Sequence, residues 1–210
     1  MILGRPLMDR KSICTVIGMA ILGTVILFFS TDHFQAFTAE QARRIDVLTN
    51  TPSVPTVTFE DSKNETFTFS DFHGKYILAT YIYTSCGDVC PVVEMNFQSI
   101  YSQLPANILD EQLQLLSISF DTVRDTPHHL EHHRELFQAD GIHWRMARVP
   151  DQQELDLLLD QSGVIVIPVG NEFEHNAAYY LINPEGQLIK IFDYNSPNQV
   201  VNELKQILSF

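Results

Sequence analysis

Two cysteines four residues apart carry the strongest chemical signal in this chain. They sit in the stretch Tyr83-Thr84-Ser85-Cys86-Gly87-Asp88-Val89-Cys90-Pro91, directly after an apolar run. Pro91 suits the first turn of a helix, where a missing N–H costs nothing. Spacing i, i+4 puts both side chains on one face of that helix. A strand that delivers thiols to a helix N-terminus places them in a positive field, which lowers their pKa and favours thiolate. Thiolates are the nucleophiles of disulfide exchange and the ligands of soft metals. Metal binding, redox exchange, a plain disulfide and two structural cysteines all remain open on these residues alone. The chain has 3 cysteines, too few for a disulfide-stapled scaffold. Cys14, the third, lies in an apolar N-terminal segment and is not expected to meet the pair.

Other groups deserve the same question. His128, His129, His132 and His133 form two i, i+4 pairs on a predicted helix, a spacing that suits zinc or copper but equally a solvated helix face. Asp88 reads first as a helix cap and second as a group that tunes the thiols or orients a partner. Asp121 and Asp125 read as loop or cap residues, outside the site. A peroxide-reactive cysteine needs an arginine beside it, and none lies in the cysteine stretch.

The rest of the chain must position the thiols. The formal net charge is −13; beyond residue 31 there are 10 basic and 25 acidic residues. Such a surface repels nucleic acid and anionic lipid and favours cations or a basic partner. Residues 12–30 contain no charged side chain and are mostly Ile, Val, Leu, Phe, Ala and Gly. At about 1.5 Å per residue they span most of a hydrocarbon core roughly 30 Å thick. Arg5, Arg10 and Lys11 precede them. The positive-inside rule then leaves the N-terminus in the cytoplasm and the following domain outside. A cleaved signal peptide is the rival reading, but the run is long for one and the region around residues 36–39 is a poor cleavage site. The expected organisation is a cytoplasmic N-terminus (1–11), a transmembrane anchor (12–31), a linker (32–53) and a folded domain (54–210).

Within that domain, residues 54–59 and 65–69 read as a hairpin. Residues 76–83 and 113–120 are continuously apolar and rich in β-formers, as strands covered on both faces are. Helical spacing marks residues 92–104, 127–140, 150–161 and 197–208. Residues 144–149 suit a short strand, and residues 163–169 a β-rich segment that runs into a polar loop over 170–176. Asn183-Pro184-Glu185-Gly186 is a turn between strands 177–182 and 188–192. The expected fold class is α/β, with a central mixed sheet flanked by helices. Thioredoxin-like folds share this order, and a reactive site past the carboxyl end of a central strand fits open α/β sheets.

The motif Tyr83-Thr84-x-Cys86-x-Asp88-x-Cys90-Pro91 resembles the metal-binding motif of the Sco (SenC) family, membrane-anchored copper proteins that help assemble cytochrome c oxidase. Phe72-x-Gly74-Lys75, residues 117–121, and Arg124-Asp125-Thr126-Pro127 match the family in the expected order. His175 stands just before residues 177–186, where the family places its third copper ligand. The resemblance spans about residues 54–208 and implies a metal site of Cys86, Cys90 and His175. It implies copper, Cu(I) or Cu(II), delivered to a copper-receiving oxidase subunit, with an upstream copper donor or a thiol reductant as further partners. It places the chain in a bacterial inner membrane, single-pass, with its C-terminal domain in the periplasm. The alternative is an extracytoplasmic thiol–disulfide oxidoreductase that uses Cys86 and Cys90 alone. Two positions depart from the family: Gly87 stands where proline is usual, and Glu174 where aspartate often precedes the histidine. Gly87 is expected to loosen the loop between the thiols, and a mobile loop flanked by Gly170 and Asn171 to carry His175.

Overall fold

The computed structural model describes residues 9–30, 38–87 and 89–210. Arg5, the cleavage region at residues 36–37 and Asp88 lie outside the described residues. The chain divides into two units, Met1–Asp46 and Val47–Phe210.

The first unit is built on helix α1 (Arg10–Ser30), whose stretch Ser12–Ser30 is long and apolar enough to cross a membrane. Ile17, Leu22 and Phe29 are exposed on it. The hydroxyl of Thr24 donates back to Ala20 O at 2.9 Å, so this polar group is satisfied within the helix. Helix α2 (Ala39–Asn50) carries the chain into the second unit. Val47 on it is buried, and Leu188 N donates to Pro52 O. The folded unit therefore starts earlier than the expected residue 54.

In the second unit β1 (Phe59–Asp61) and β2 (Thr66–Phe67) make the expected hairpin, with shorter strands. A single 3-10 turn over Phe69–Phe72 follows, capped reciprocally by Thr68 and Asp71. β3 (Tyr76–Ile82) leads through the cysteine turn into α3 (Val89–Ser102). A short helix α4 (Ala106–Glu111), absent from the sequence reading, precedes β4 (Leu113–Ser119). Then come α5 (Pro127–Leu136), β5 (Trp144–Arg148) and α6 (Gln152–Ser162). Helix α5 stops short of the expected residue 140 because the chain turns left-handed at Gln138 and Asp140 binds the amides that follow. β6 (Val166–Val169) and β7 (Glu172–His175) follow, then β8 (Tyr179–Ile182), β9 (Leu188–Phe192) and α7 (Pro197–Leu208).

The main sheet has seven strands in the order β2-β1-β5-β4-β3-β8-β9. β3 and β5 flank β4 in parallel, while β8 and β9 add antiparallel. β3 and β4 are buried almost throughout, hence their uninterrupted apolar runs. Val93, Phe97 and Ile100 of α3 and Val200, Leu204 and Leu208 of α7 cover one face, against Leu78, Leu115 and Trp144. Leu155 and Leu158 of α6 cover the other, against Phe59, Ala79, Leu116 and Tyr180 of the sheet. This is the thioredoxin-like arrangement. β6 and β7 pair only with each other, antiparallel, with Val166 opposite His175. The polar loop expected over residues 170–176 is thus largely a strand, and His175 sits on it.

Candidate metal site

β3 ends at Ile82, and the chain tightens at once: Cys86 N donates to Tyr83 O at 3.3 Å. A buried aspartate holds this turn. Asp125, fully buried, accepts from Thr84 N at 2.8 Å, Thr84 Oγ1 at 2.5 Å and Ser119 Oγ at 2.5 Å. It thereby ties the end of β4 and the following loop to the turn that presents Cys86. Asp121 and Asp125 are loop residues, as expected, and Asp125 in addition braces the turn that carries Cys86.

Cys86 is half-buried and Cys90, in the first turn of α3, is fully buried. No disulfide joins them. The Cys90 N–H donates to Cys86 Sγ at 3.4 Å. Burial pushes the Cys90 thiol well up, and the neighbouring Cys86 adds to the effect. At Cys90 burial therefore raises the pKa, opposite in direction to the lowering expected from the helix terminus.

His175 arrives from β7, 85 residues beyond Cys90, and its Nε2 lies 3.5 Å from Cys90 Sγ. Its ring rests on Phe120, with centroids 5.0 Å apart, and stands edge-on to Tyr83 at 6.4 Å. Burial lowers its pKa, partly offset by the Asn176 backbone. The imidazole is thus neutral, with Nε2 able to offer a lone pair. Its Nδ1 is buried without a full hydrogen bond. Tyr83 reaches across to the same strand, donating from its hydroxyl to Glu172 Oε2 at 2.8 Å.

The three residues singled out from sequence thus fall in one place, but they are not preassembled. Among the described residues, no three His, Cys, Asp or Glu side chains are grouped tightly enough to hold a metal. Cys90 and His175 form the close pair, and Cys86 Sγ lies beside them on the Cys90 amide. Two sulfurs and one neutral imidazole are a soft donor set, which fits copper.

The four-histidine cluster is different. His128, His129 and His132 are exposed, while His133 is buried against the Phe137 ring, 4.8 Å away, and its pKa is pushed down to about 4 by burial. His129 Nδ1 is taken up by Thr126 Oγ1 at 3.0 Å. This is a helix with one face in the core.

Sequence reasoning missed Glu94. It is fully buried one turn beyond Cys90, and neither carboxyl oxygen has a hydrogen-bond partner. Burial raises its pKa to about 8, with Ser117 opposing. Its position in the apolar stripe of Val93, Phe97 and Ile100 was the available signal.

Comparison with known proteins converges on one group. A family model described as SCO1/SenC matches residues 48–209. A protein named for copper binding from Stutzerimonas stutzeri is 26% identical over 141 residues, covering 65% of this chain and 67% of its own. A solved protein named for electron transfer from Aquifex aeolicus superposes with a TM-score of 0.68 at 24% identity, over 74% of this chain and 92% of its own. BsSco, a member of the Sco family of cytochrome c oxidase assembly proteins with an identified disulfide switch, gives 0.65 at 20% identity, over 74% and 93%.

Proposed function

The chain belongs to the SCO1/SenC family, and on that premise we propose that it is a membrane-anchored copper chaperone. It carries copper on Cys86, Cys90 and His175 and passes it to a copper centre of a cytochrome c oxidase subunit. The observation that carries this reading is the approach of His175 Nε2 to within 3.5 Å of Cys90 Sγ. Thiol exchange requires only the two cysteines, whereas a two-sulfur site for Cu(I) or Cu(II) gains a third donor from the imidazole. Helix α1 anchors the chain in a bacterial inner membrane, and the acidic domain works on the periplasmic side. An upstream copper donor or a thiol reductant serves it there.

The residues divide the work. Cys86, the less buried thiol, would meet incoming copper first, with Cys90 and His175 completing the set. Cys90 gives up its proton as copper binds, because its buried thiol holds that proton at neutral pH. Release reverses the order by ligand exchange with the receiving protein.

The test is copper titration of the reduced full-length chain beside His175→Ala and Cys86→Ser. His175→Ala is expected to weaken binding by at least about tenfold, and Cys86→Ser to weaken it further. Copper binding and oxidase assembly unchanged in His175→Ala would leave the thiol–disulfide oxidoreductase as the function. That second reading is favoured by one contact, the Cys90 amide on Cys86 Sγ, which keeps the thiols close. Binding is also expected to release protons and to tighten from pH 6 to pH 8, as a pH-indicator assay reads.

A further inference from the structure

The hairpin that bears His175 shares no ladder with the main sheet. Its base is pinned. Asn176 Oδ1 accepts from Ile165 N at 2.7 Å, and Asn176 Nδ2 donates to Gly163 O at 3.1 Å. Its tip is held from the loop between β4 and α5. Arg124 Nη1 donates to Asn171 O at 2.6 Å, in the turn between β6 and β7. The same guanidinium lies 5.2 Å from the Phe173 ring centroid and 5.7 Å from that of Tyr83. Its other edge is fixed: Arg124 Nε donates to Asp121, and the Arg124 backbone N–H donates to Asp121 Oδ1 at 3.1 Å. Asp121 is 4% exposed, so the carboxylate that takes this edge is buried.

We propose that Arg124 is the positioning residue that holds the His175 hairpin closed over Cys90. It acts through the hairpin: its contacts among the described residues are to Asp121, Asn171, Phe173 and Tyr83, not to the thiols or the imidazole. Only a planar fork with donors on two edges can bind a buried carboxylate and a backbone carbonyl while stacking on aromatic rings. A lysine has one donor point and cannot do both. The loop has a second hold, since Asp125 next to Arg124 binds the Thr84 turn. Residues 121–125 therefore register both halves of the donor set, the thiols through Asp125 and the imidazole through Arg124. The tip has a second hold, Tyr83 on Glu172 Oε2, and His175 stands next to the pinned Asn176; loss of the Asn171 O contact therefore loosens β7 along its length and slackens the approach of His175 to Cys90 without disturbing the main sheet.

The idea rests on the copper reading only in its second test. The first needs no metal. The reduced full-length chain in detergent, with Arg124→Ala and Arg124→Lys, is alkylated and the Cys90-to-Cys86 labelling ratio is read by peptide mass spectrometry. Arg124→Ala is expected to raise the ratio about tenfold, with the melting temperature within a few degrees of wild type. Arg124→Lys falls between the two. The same ratio in all three proteins overturns the proposal, and where Arg124→Ala does not fold, Arg124→Lys decides by the same criterion. In the second test a Cu(I) chelator draws copper from each loaded protein. Release faster by a similar factor ties the hairpin to metal retention. Faster labelling with unchanged release upholds the positioning role of Arg124 and removes His175 from the copper ligands.

Discussion

Glu94 is the residue whose chemistry departs furthest from its surroundings. Burial of this carboxyl, opposed only by the nearby Ser117 hydroxyl, favours its neutral form, and its pKa of about 8 against an ordinary 4.5 makes the folded state the better proton binder between those values. The sign follows: this group's penalty is absent below about pH 4.5, grows as pH rises, and levels off above about pH 8. Glu94→Leu is expected to stabilise the protein at pH 8 by on the order of 3 kcal/mol and to flatten the slope between pH 5 and pH 8, read from urea denaturation. An unchanged slope would mean that the carboxyl is solvated. Gly87 gives a smaller contrast. A methyl group there meets nothing within 4 Å and its φ is not positive, so the backbone does not require glycine. Gly87→Ala is expected to stabilise by about 0.4–1 kcal/mol through the unfolded state, as denaturation midpoints would record. The meeting of Cys90 with His175 was expected from the family resemblance, because the spacing of the cysteine stretch by itself marks the two thiols and leaves a histidine 85 residues away unmarked. Glu94 was not legible, because an acid in a helix reads as a solvent-facing residue unless its place in the apolar stripe is counted.

Among the elements, the segment between β4 and α5 and the hairpin β6–β7 matter most. Asp125 anchors the first. Asp125→Ala strips the acceptor from Thr84 and from buried Ser119, at an expected cost of about 2–4 kcal/mol in denaturation experiments. Cys86 is expected to label faster in the same variant. Loss of stability without faster labelling would confine Asp125 to support of the fold. The hairpin shows why one element was misread. Glu172 and Glu174 alternate with Phe173 and His175, which is the period of a strand. Three polar or charged residues in the segment outweighed that alternation in a composition-based reading. The half-buried positions are the ones that look inward, at Tyr83 and Phe120. By contrast β3, β4, α3, α6 and α7 were legible, since burial on both faces or on one stripe leaves a pattern that no other element mimics.

At the scale of the whole molecule, stability depends on polar ties that bind loops to the sheet. Asp140 gathers Ile142 N, His143 N and Trp144 N at 2.8–3.0 Å, and its other oxygen meets His143 Nδ1 at 2.6 Å. His143 Nε2 reaches Asp110 at 2.8 Å, so α4 is tied in as well. Burial opposes the charge on Asp140, but these bonds hold its pKa down at about 2. Its contribution is therefore complete above the unfolded value near pH 4 and is lost as pH falls towards 2. The partners raise the His143 pKa against burial, so its contribution is present in acid below about pH 6.5 and fades as pH rises through the raised value. Asp140→Asn is expected to lose about 1–2 kcal/mol at pH 6, reduced for partial exposure, with the gap from wild type closing below pH 3. A constant gap across that range would place the loss in packing.

The two halves of the donor set are 85 residues apart, and that separation has a kinetic consequence. The contact of His175 with Cys90 is one of long sequence separation, as is the pairing of β8 with β3. Such contacts form late, because their loop-closure entropy is met before any pairing offsets it. The cysteine turn, being local, is complete while the imidazole is still at large. During synthesis and refolding the thiols therefore pass through a period without the hairpin over them, exposed to any oxidant present. The native protein shelters Cys90; the folding chain does not, and the disulfide, where it forms, is expected to arise fastest before the last strands close.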